Sequence, residues 1–436
     1  MTMLATSSTA TDLARMFHRA IGAQLPIRLR AWDGSEAGPA GSAMNPGAAT
    51  LIIRDRTALR RLAWSPNELG LAQAYVLGEI DVEGDLADGL RQVWATLGAR
   101  RQQHSVEGVR PPGLSARLAL LPGALRLGAI GRRPAPPAVQ ASLSGAAHSR
   151  ERDRAAIAHH YDLSNDFYEL LLDETMAYSC AYYAADDATL IEAQRAKLDL
   201  ICRKLDLRPG ARLLDVGCGW GSLTTFAAAE YGAHVTGVTL AARQRDYVAA
   251  RIERAGLGSR AQVRLQDYRD VLDGPYDAIA TVEMGEHVGD AQYPGFAAGL
   301  YGLLRPRGRL LVQQMSRGRI APGGGAFIER YIAPDMHMRP VGETVGLFEA
   351  AGFEVRDVHA LREHYVRTVA AWSERLERRF DEVVALVGEP TARVWRLYLV
   401  GGALAFEQRR MGVDQILAVR PDADGTAGLP LRREPS

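Results

Sequence analysis

Residues 211–221 of this chain are ARLLDVGCGWG, an apolar run that ends in a glycine-rich turn. The run around Asp215 predicts the end of a buried strand, and the apolar stretch from Ser222 to Ala229 predicts a helix after the turn. The glycines allow the backbone to turn sharply and to approach a ligand closely. A strand, turn and helix of this kind is typical of sites for nucleotide-sized ligands. It also occurs where the glycines only form the connection between a strand and a helix.

The spacing of the glycines separates the classes of nucleotide site. No lysine follows the turn, which excludes the P-loop that cradles phosphates. Dinucleotide-binding folds place the last glycine one residue further from the second than Gly221 lies from Gly219. The shorter turn favours a site for S-adenosylmethionine (SAM), the methyl donor of methyltransferases.

The composition limits the class of protein. A chain of 436 residues is long enough for about two or three domains with apolar cores. The net charge of +1 gives no argument for nucleic acid as a partner. Cys180, Cys202 and Cys218 are too few and too scattered for a disulfide framework or a zinc site, so we expect no metal and a reducing cytoplasm.

The sequence predicts neither a signal peptide nor a membrane span. The first residues, MTMLATSSTATDLARMF, lack a basic start followed by an apolar core. The most apolar candidate for a span, Leu114 to Ile130, is interrupted by Arg117 and Arg126. We therefore expect a cytoplasmic protein that meets a membrane only at its inner surface.

Composition and periodicity divide the chain into four parts. Residues 1–100 predict a small α+β accessory domain, residues 101–150 a linker, residues 151–425 an α/β domain and residues 426–436 a tail. The elements predicted in the accessory domain are strands at Ile27–Trp32 and Thr50–Arg54 and helices around Leu59–Ala63 and Leu86–Leu97.

The predicted linker is rich in proline and arginine. Between residues 101 and 150 the chain has seven arginines and a single acidic residue, Glu107. This composition favours a linker with one short amphipathic helix. Such a segment is either a solvated tether or a segment attracted to anionic lipid headgroups.

Strands and helices alternate after residue 150. This order predicts a parallel, doubly wound sheet whose ligand lies beyond the carboxyl ends of the strands. The predicted strands are Arg212–Val216, His234–Thr239, Gln262–Gln266, Tyr276–Thr281 and Arg309–Gln314, and the predicted helices are Leu190–Leu205, Ala242–Ala255 and Tyr293–Leu304.

Polar side chains follow two of these strands. Nucleotide sites commonly place a carboxylate after the second strand to bind ribose hydroxyls, whereas this chain offers Thr239 and Gln244 there. Gln266, Asp267 and Tyr268 follow the third strand and suit an adenine edge and face. Taken one at a time, each of these residues is also compatible with a structural role.

Several ordered stretches carry a resemblance to a known family. They are HHYDLSNDFYELLLDETMAYSCAYY (159–183), AQRAKLDLICRKL (193–205), LLDVGCGWG (213–221), QDYRD (266–270), EMGEHVG (283–289) and AWSERL (371–376). Together they closely resemble the cyclopropane-fatty-acyl-phospholipid synthase family, which includes mycolic acid cyclopropane synthases. AQAYVLGEIDVEGDL (72–86) also looks like the accessory domain of longer members, which presents phospholipid to the catalytic domain.

The resemblance implies a class I SAM-dependent methyltransferase with a Rossmann-like sheet. The implied reaction transfers the methyl group of SAM to the double bond of an unsaturated acyl chain in a membrane phospholipid. The implied SAM-binding residues are Tyr178, Ser179, Asp215, Gly217, Cys218, Gly219, Trp220, Gly221, Thr239, Leu240, Gln244, Gln266, Asp267 and Tyr268. A homo-oligomer is also expected.

The family binds bicarbonate as a proton acceptor, and its pocket maps onto Cys180, Glu286 and Tyr365. Two further positions, typically His and Ile in the family, are Gln313 and Met315 here. A glutamine cannot titrate near neutral pH as a histidine does, so the resemblance leaves bicarbonate binding open. We take Glu286, Cys180, Tyr365 and Gln313 as the candidate catalytic residues.

The altered pocket favours one of two products. Ring closure requires a proton to leave the newly added methyl group at once. If the base is displaced, a hydride shift comes first and proton loss leaves a methylene branch, such as 10-methylene from an oleoyl chain. The sequence favours the methylene product, as in the fatty acid methyltransferases that begin tuberculostearic acid synthesis and whose product a separate reductase saturates. Cyclopropane formation remains the alternative.

An aromatic cluster before the SAM turn suits a cation on the acyl chain, because aromatic faces attract positive charge. Its members are Tyr161, Phe167, Tyr168, Tyr178, Tyr182 and Tyr183. Ordinary helix packing explains the same residues equally well. Two other functions stay open: a methyltransferase for a soluble acceptor, and a lipid-binding protein that has lost its activity.

Overall fold

The structure is a computed structural model that describes residues 8–21, 23–39, 49–103, 123–141, 145, 148–153, 164–318 and 325–430. The chain forms two compact units. The first comprises residues 1–140 and 388–404, and the second comprises residues 141–387 and 405–436. Tyr161 lies outside the described residues, so its predicted role has no structural counterpart here.

The elements begin and end as follows. The strands are β1 Arg28–Arg30, β2 Glu36–Ala37, β3 Thr50–Ile53, β4 Ile80–Glu83, β5 Arg212–Val216, β6 His234–Thr239, β7 Ala261–Leu265, β8 Tyr276–Val282, β9 Leu304–Ser316, β10 Glu354–Ala360 and β11 Gly412–Val419. The helices are α1 Thr9–Ile21, α2 Thr57–Trp64, α3 Glu68–Val76, α4 Leu86–Gln103, α5 Asn165–Leu171, α6 Leu190–Lys204, α7 Ser222–Glu230, α8 Ala242–Arg254, α9 Tyr293–Leu303, α10 Gly325–Tyr331, α11 Val341–Ala350, α12 Arg362–Arg378, α13 Phe380–Val387 and α14 Glu389–Glu407.

The first unit contains a sheet with the strand order β2-β1-β3-β4. Strands β1 and β3 run parallel, and the other neighbouring pairs run antiparallel. Leu13, Leu29 and Ile53 are buried in its core. Leu397 of α14 packs against the same core, which ties residues 388–404 to this unit rather than to the predicted second domain.

The segment predicted as a linker is packed over the part that the structure describes. Leu127 and Ala129 are buried in the core of the first unit. Nη1 of Arg61 donates a hydrogen bond to the carbonyl oxygen of Ala135 at 2.8 Å. Of the two interpretations of this linker, the solvated tether does not hold for residues 123–140. Burial of apolar side chains favours a fixed position there despite the prolines.

The second unit contains a seven-stranded sheet in the order β10-β11-β9-β8-β5-β6-β7. Strands β9, β8, β5, β6 and β7 run parallel, as the alternation of elements predicts. Strand β11, which the sequence pattern did not reveal, runs antiparallel to both of its neighbours. The doubly wound, Rossmann-like methyltransferase fold is confirmed, with an antiparallel strand added at one side.

Both faces of this sheet are covered by helices. Leu213 belongs to a core cluster with residues of α6 and α7 on one face, and the next residue, Leu214, belongs to a cluster with residues of α9 and α11 on the other. Consecutive strand residues point to opposite faces, so a strand buried on both sides is apolar throughout. The chain leaves β5 toward β6 on one side and returns to β8 on the other, which creates a crevice at their carboxyl ends.

Candidate active site

The turn after β5 has a backbone that requires glycine. Gly217, Gly219 and Gly221 have φ values of +77°, +53° and +78°. A Cβ atom on Gly217 would lie 2.7 Å from Cγ of Met284. At Gly219 no atom of the described residues lies within 4 Å of the Cβ position, so this part of the turn faces open space.

The turn lines a cavity of about 1320 Å³, a volume that includes its open mouth. The predicted SAM residues that line it are Tyr178, Ser179, Asp215, Gly217, Cys218, Gly219, Trp220, Thr239, Leu240, Gln244, Gln266 and Tyr268. Gly221 and Asp267 do not line it. The Asp267 carboxylate instead accepts hydrogen bonds from the backbone and guanidinium of Arg269.

The polar groups after β6 fit a nucleoside such as that of SAM. Oγ1 of Thr239 lies 2.9 Å from Oε1 of Gln244. Nε2 of Gln244 is buried and has no hydrogen-bond partner among the described residues. A buried donor without a partner is costly, so this amide is suited to an acceptor on a bound ligand. In nucleotide sites this position serves the ribose hydroxyls.

Asp215 lies at the base of the same crevice. Its Oδ2 accepts a hydrogen bond from Oγ1 of Thr224 at 2.7 Å. Burial raises the pKa of Asp215 to about 6. The side chain therefore stabilises the start of α7 beneath the glycine turn in addition to lining the cavity.

Glu283 is another acidic residue that lines the cavity, in addition to Asp215. It follows β8 directly, has a φ of +52° and lines the cavity. Its Oε1 accepts hydrogen bonds from the backbone N–H of Cys180 at 2.8 Å and from Nε2 of Gln313 at 2.9 Å. Its Oε2 accepts one from Oη of Tyr365 at 2.5 Å. A non-glycine residue at positive φ is strained by about 1–3 kcal/mol, and such strain clusters at functional sites.

Three of the four predicted catalytic residues thus meet at Glu283, which the sequence analysis did not select. The missed signal was an acid at the end of an apolar strand, the same pattern that singled out Asp215. The resemblance maps the bicarbonate pocket onto Cys180, Glu286 and Tyr365, with Gln313 in place of a family histidine. Of these residues, Cys180, Gln313 and Tyr365 donate hydrogen bonds to a carboxylate of this chain. Because the Glu283 carboxylate accepts these hydrogen bonds, the donor set does not fit a bicarbonate ion in addition.

The carboxylate of Glu283 is held in a low-dielectric environment. Burial raises the pKa of Glu283, and the hydrogen bond from Tyr365 opposes that rise. Among the described residues, Oε1 accepts two hydrogen bonds and Oε2 accepts one, which leaves a lone pair of Oε2 without a donor from them. The geometry therefore supplies a base with one free acceptor position beside the SAM turn.

Glu286 lies behind Glu283 and does not line the cavity. Its Oε1 accepts a hydrogen bond from the backbone N–H of Met315 at 2.5 Å, and its buried Oε2 has no partner among the described residues. Burial, and then the charge of Glu283, raises the pKa of Glu286 to about 8. Glu286 is therefore mostly protonated at neutral pH, unlike a proton acceptor.

Cys180 acts through its backbone rather than its thiol. Burial raises the pKa of the thiol well above its ordinary value, so the sulfur stays neutral. Sγ lies 3.3 Å from the carbonyl oxygen of Ala181, while the amide of Cys180 binds Glu283.

Side chains of helix α6 hold the segment that contains the backbone amide of Cys180. Nζ of Lys197, a buried side chain, donates a hydrogen bond to Oγ of Ser179 at 2.7 Å. Nε2 of Gln194 donates to the carbonyl oxygens of Ser179 at 2.9 Å and Ala177 at 3.2 Å. Gln194 and Lys197 lie three positions apart on one face of the helix. A capping box at Thr189 fixes the start of this helix.

The aromatic wall of the cavity differs from the predicted cluster. Tyr178 and Trp220 line the cavity, with ring centroids 6.5 Å apart. Tyr178 also packs on Trp372 at 5.3 Å, and Trp372 packs on Tyr365 at 6.1 Å. The predicted residues Phe167, Tyr168, Tyr182 and Tyr183 do not line the cavity.

The described residues contain no group of three or more His, Cys, Asp or Glu side chains placed to hold a metal ion. None of the described helices is both long enough and apolar enough to cross a membrane.

Comparison with known proteins gives the family. The family model for mycolic acid cyclopropane synthetase matches residues 148–416. The chain is 37% identical over 418 residues to a probable fatty acid methyltransferase of Pseudomonas putida, which covers 94% of this chain and 96% of that protein. It is 33% identical over 430 residues to the tuberculostearic acid methyltransferase UfaA1 of Mycobacterium tuberculosis, covering 96% and 92% of the two chains.

A solved structure supports the same assignment. The mycolic acid cyclopropane synthase CmaA1, complexed with SAH and CTAB, is 33% identical, with a TM-score of 0.58 over 61% of this chain and 97% of that chain. The residues matched by the family model include all those that line the cavity.

Proposed function

Since this chain belongs to the mycolic acid cyclopropane synthetase family and is a SAM-dependent methyltransferase of lipids, we propose that it methylates the double bond of an unsaturated acyl chain in a phospholipid and forms a methylene-branched product. The observation that carries this proposal is the carboxylate of Glu283, which accepts hydrogen bonds from Cys180, Gln313 and Tyr365. We assign it the role of proton acceptor.

The cavity brings the reactants together in a dry environment. SAM, when bound at the glycine turn, supplies an electrophilic methyl group, and its addition to the double bond leaves a positive charge on the acyl chain. An alkene is a weak nucleophile, so it must be aligned at about 3–3.5 Å from the methyl carbon. Tyr178 and Trp220 line this space. An aromatic face turned toward the substrate favours a nearby cation by roughly 0.5–2 kcal/mol.

Glu283 then removes a proton from the added methyl carbon. A hydride first moves from the methylated carbon to the neighbouring cationic carbon. A lone pair on Oε2 then accepts the methyl proton, and the C–H electron pair becomes the π bond of the exomethylene group. Tyr365 donates to the same oxygen and stabilises the charged carboxylate before transfer. Gln313 is a permanent neutral donor that keeps the carboxylate oriented.

The fixed position of this base favours the methylene product. Glu283 is attached to β8, and its three hydrogen bonds restrict its movement, whereas a free bicarbonate ion adjusts to the substrate. A base that does not reach the methyl group at once gives time for a hydride shift to the neighbouring cationic carbon. Proton loss from the methyl carbon then gives an exomethylene group.

The similarity to known proteins supports this choice. The fatty acid methyltransferase of Pseudomonas putida and UfaA1 match the chain over almost its whole length. The cyclopropane-fatty-acyl-phospholipid synthase of Escherichia coli is 36% identical over only 61% of this chain. A methylene-branched product would be the substrate of a reductase that saturates it.

The test is product analysis with purified protein. Phospholipid vesicles with oleoyl chains are incubated with SAM that carries a ¹³C-labelled methyl group, and the extracted lipid is examined by proton and carbon NMR. We expect the label in an exomethylene group with olefinic proton signals. Upfield ring-methylene signals would instead establish the cyclopropane product, which has the same mass.

A soluble acceptor is the competing substrate class. Label that appears in a small phenol or amine, and in none of the unsaturated lipids, would overturn the proposal. SAM binding without any transfer to lipid would also overturn it.

A further inference from the structure

Exposed apolar side chains are concentrated on the first unit. Of the nine large apolar residues that are exposed in the described part of the chain, five belong to this smaller unit. They are Trp64, Leu71, Leu77, Leu125 and Ile130. Single exposed apolar residues are ordinary, whereas a group of them marks an interaction surface.

Three of them lie on two neighbouring segments. Nε1 of Trp64, at the end of α2, donates a hydrogen bond to the carbonyl oxygen of Gly131 at 3.0 Å. This bond places the indole beside Ile130, the residue before Gly131 in the chain. The relative exposures are 55% for Trp64, 64% for Leu125 and 52% for Ile130. A tryptophan whose N–H is satisfied and whose ring is exposed suits the boundary between water and lipid.

The charge around these residues is positive. Neither α2 nor residues 123–140 contain an aspartate or a glutamate. Arg132 and Arg133 are exposed directly after Gly131. In the same region Arg61 is buried and paired with Glu79, and Arg126 is paired with Asp12. The exposed guanidinium groups of Arg132 and Arg133 therefore add positive charge next to the apolar side chains.

We propose that Trp64, Ile130, Arg132 and Arg133, here called the Trp64 patch, form the surface by which this protein docks on an anionic phospholipid bilayer. The inference rests on the proposed function, because a phospholipid substrate lies in a bilayer. Apolar side chains enter the headgroup region, and each arginine near an anionic surface adds attraction that salt weakens. Lipid and not protein is the favoured occupant, because the apolar group is flanked by arginines without exposed acids in these two segments.

The test compares full-length variants in a vesicle sedimentation assay. The vesicles contain phosphatidylglycerol and phosphatidylcholine, or phosphatidylcholine alone. The apolar variant is W64S/I130S and the charge variant is R132Q/R133Q. The matched controls lie on the second unit: L272S removes a leucine that is 90% exposed, and R203Q/R208Q removes two exposed arginines.

We expect both patch variants to bind anionic vesicles about 10-fold or more weakly, while the controls bind as the unaltered protein does. The defect of R132Q/R133Q should shrink at high salt, and that of W64S/I130S should persist. SAM binding and methyl transfer to lipid dispersed in detergent should stay unchanged, because neither patch variant alters the cavity.

Vesicle binding by the patch variants that equals that of the controls would overturn the inference. A change from dimer to monomer in light scattering, with vesicle binding intact, would also overturn it and assign the patch to a second copy of the chain. A failure of the proposed function is separate: the unaltered protein would then methylate no unsaturated lipid, even in detergent, whatever its binding to vesicles.

Discussion

Oη of Tyr365 lies 2.5 Å from Oε2 of Glu283, although the two residues are 82 positions apart in the chain. The tyrosine belongs to α12 and the glutamate follows β8. The contact therefore forms only when the helix after β10 packs over the carboxyl ends of the parallel strands. It joins a hydrogen-bond donor to the carboxylate oxygen of Glu283 that accepts a single hydrogen bond from the described residues.

Replacing Glu283 by Gln should lower turnover by about 10²-fold or more, because an amide cannot accept the proton. The side-chain shape is nearly unchanged, so SAM affinity in calorimetry should stay within about twofold. Single-turnover transfer of labelled methyl groups measures the loss. Glu349→Gln, an exposed position on α11, is the control. Turnover of Glu283→Gln equal to that of the control would remove Glu283 from the mechanism.

Replacing Glu283 by Gly should make activity depend on an added anion. Glycine adopts a φ of +52° without strain, and the change frees the donors of Cys180, Gln313 and Tyr365. Bicarbonate or formate should restore part of the turnover in this variant and leave the unaltered protein unaffected. A mobile base should also increase the share of cyclopropane product in NMR. Absence of rescue at any anion concentration would contradict the assignment of this pocket.

Replacing Tyr365 by Phe should shift the pH dependence of kcat while the fold is kept. The lost hydrogen bond stabilised the charged carboxylate, so the pKa of Glu283 should rise further. Because the active form is deprotonated, the acidic limb of the kcat profile should move to higher pH. Tyr247→Phe is the control, since it removes a tyrosine–glutamate hydrogen bond to Glu169 outside the cavity. Identical profiles for the two variants would refute this role.

Lys197 and Lys204 are the only lysines in the chain, which allows a matched comparison. Lys197 is buried beside Ser179, whereas Lys204 pairs with Asp357 at 3.1 Å. The positive charge of Lys197 favours the charged form of Glu283. Lys197→Met should therefore shift the acidic limb of the kcat profile to higher pH and lower turnover at pH 7 by about 10-fold. Lys204→Met should leave both unchanged. A uniform loss of activity at all pH values would indicate a purely structural role for Lys197.

Glu286 should affect stability as a function of pH. Its pKa is raised to about 8 in the folded protein, so the folded state holds a proton that the unfolded state releases at lower pH. The stabilisation from this protonated group is complete below its ordinary pKa and is lost as the pH rises toward 8. The Glu286→Gln variant lacks this loss. In urea unfolding, the free energy of unfolding of the unaltered protein should therefore fall between pH 5 and pH 8 by at least about 1 kcal/mol more than that of the variant. Parallel pH curves would contradict the raised pKa.

The pattern of apolar residues predicted the parallel part of the second sheet closely. Strands β5 and β6 begin and end at the predicted residues, because runs buried on both faces are apolar throughout. Strand β10 alternates exposed with partly buried residues, and the sequence analysis did not predict it. The segment around Leu127 gave the wrong prediction because its prolines and arginines outnumber the few side chains that are buried.

The residues that line the cavity were likewise predicted in part from the sequence. The glycine turn and its polar neighbours are local features, so spacing located Gly217, Gly219, Thr239, Gln244, Gln266 and Tyr268, which all line the cavity. Asp267 was also selected by spacing, but it binds Arg269 instead of facing the cavity. The partner of a charged side chain is a tertiary contact that no local pattern reveals.

The sequence by itself determined the parallel sheet and the position of the glycine turn, because both follow from short-range periodicity and spacing. Its ordered motifs carried the resemblance to lipid-modifying enzymes. Only the tertiary structure decided that Glu283, rather than a bound anion, lies at the centre of Cys180, Gln313 and Tyr365. These groups come from distant parts of the chain, and the hydrogen bonds between them exist only after packing has removed water from the site.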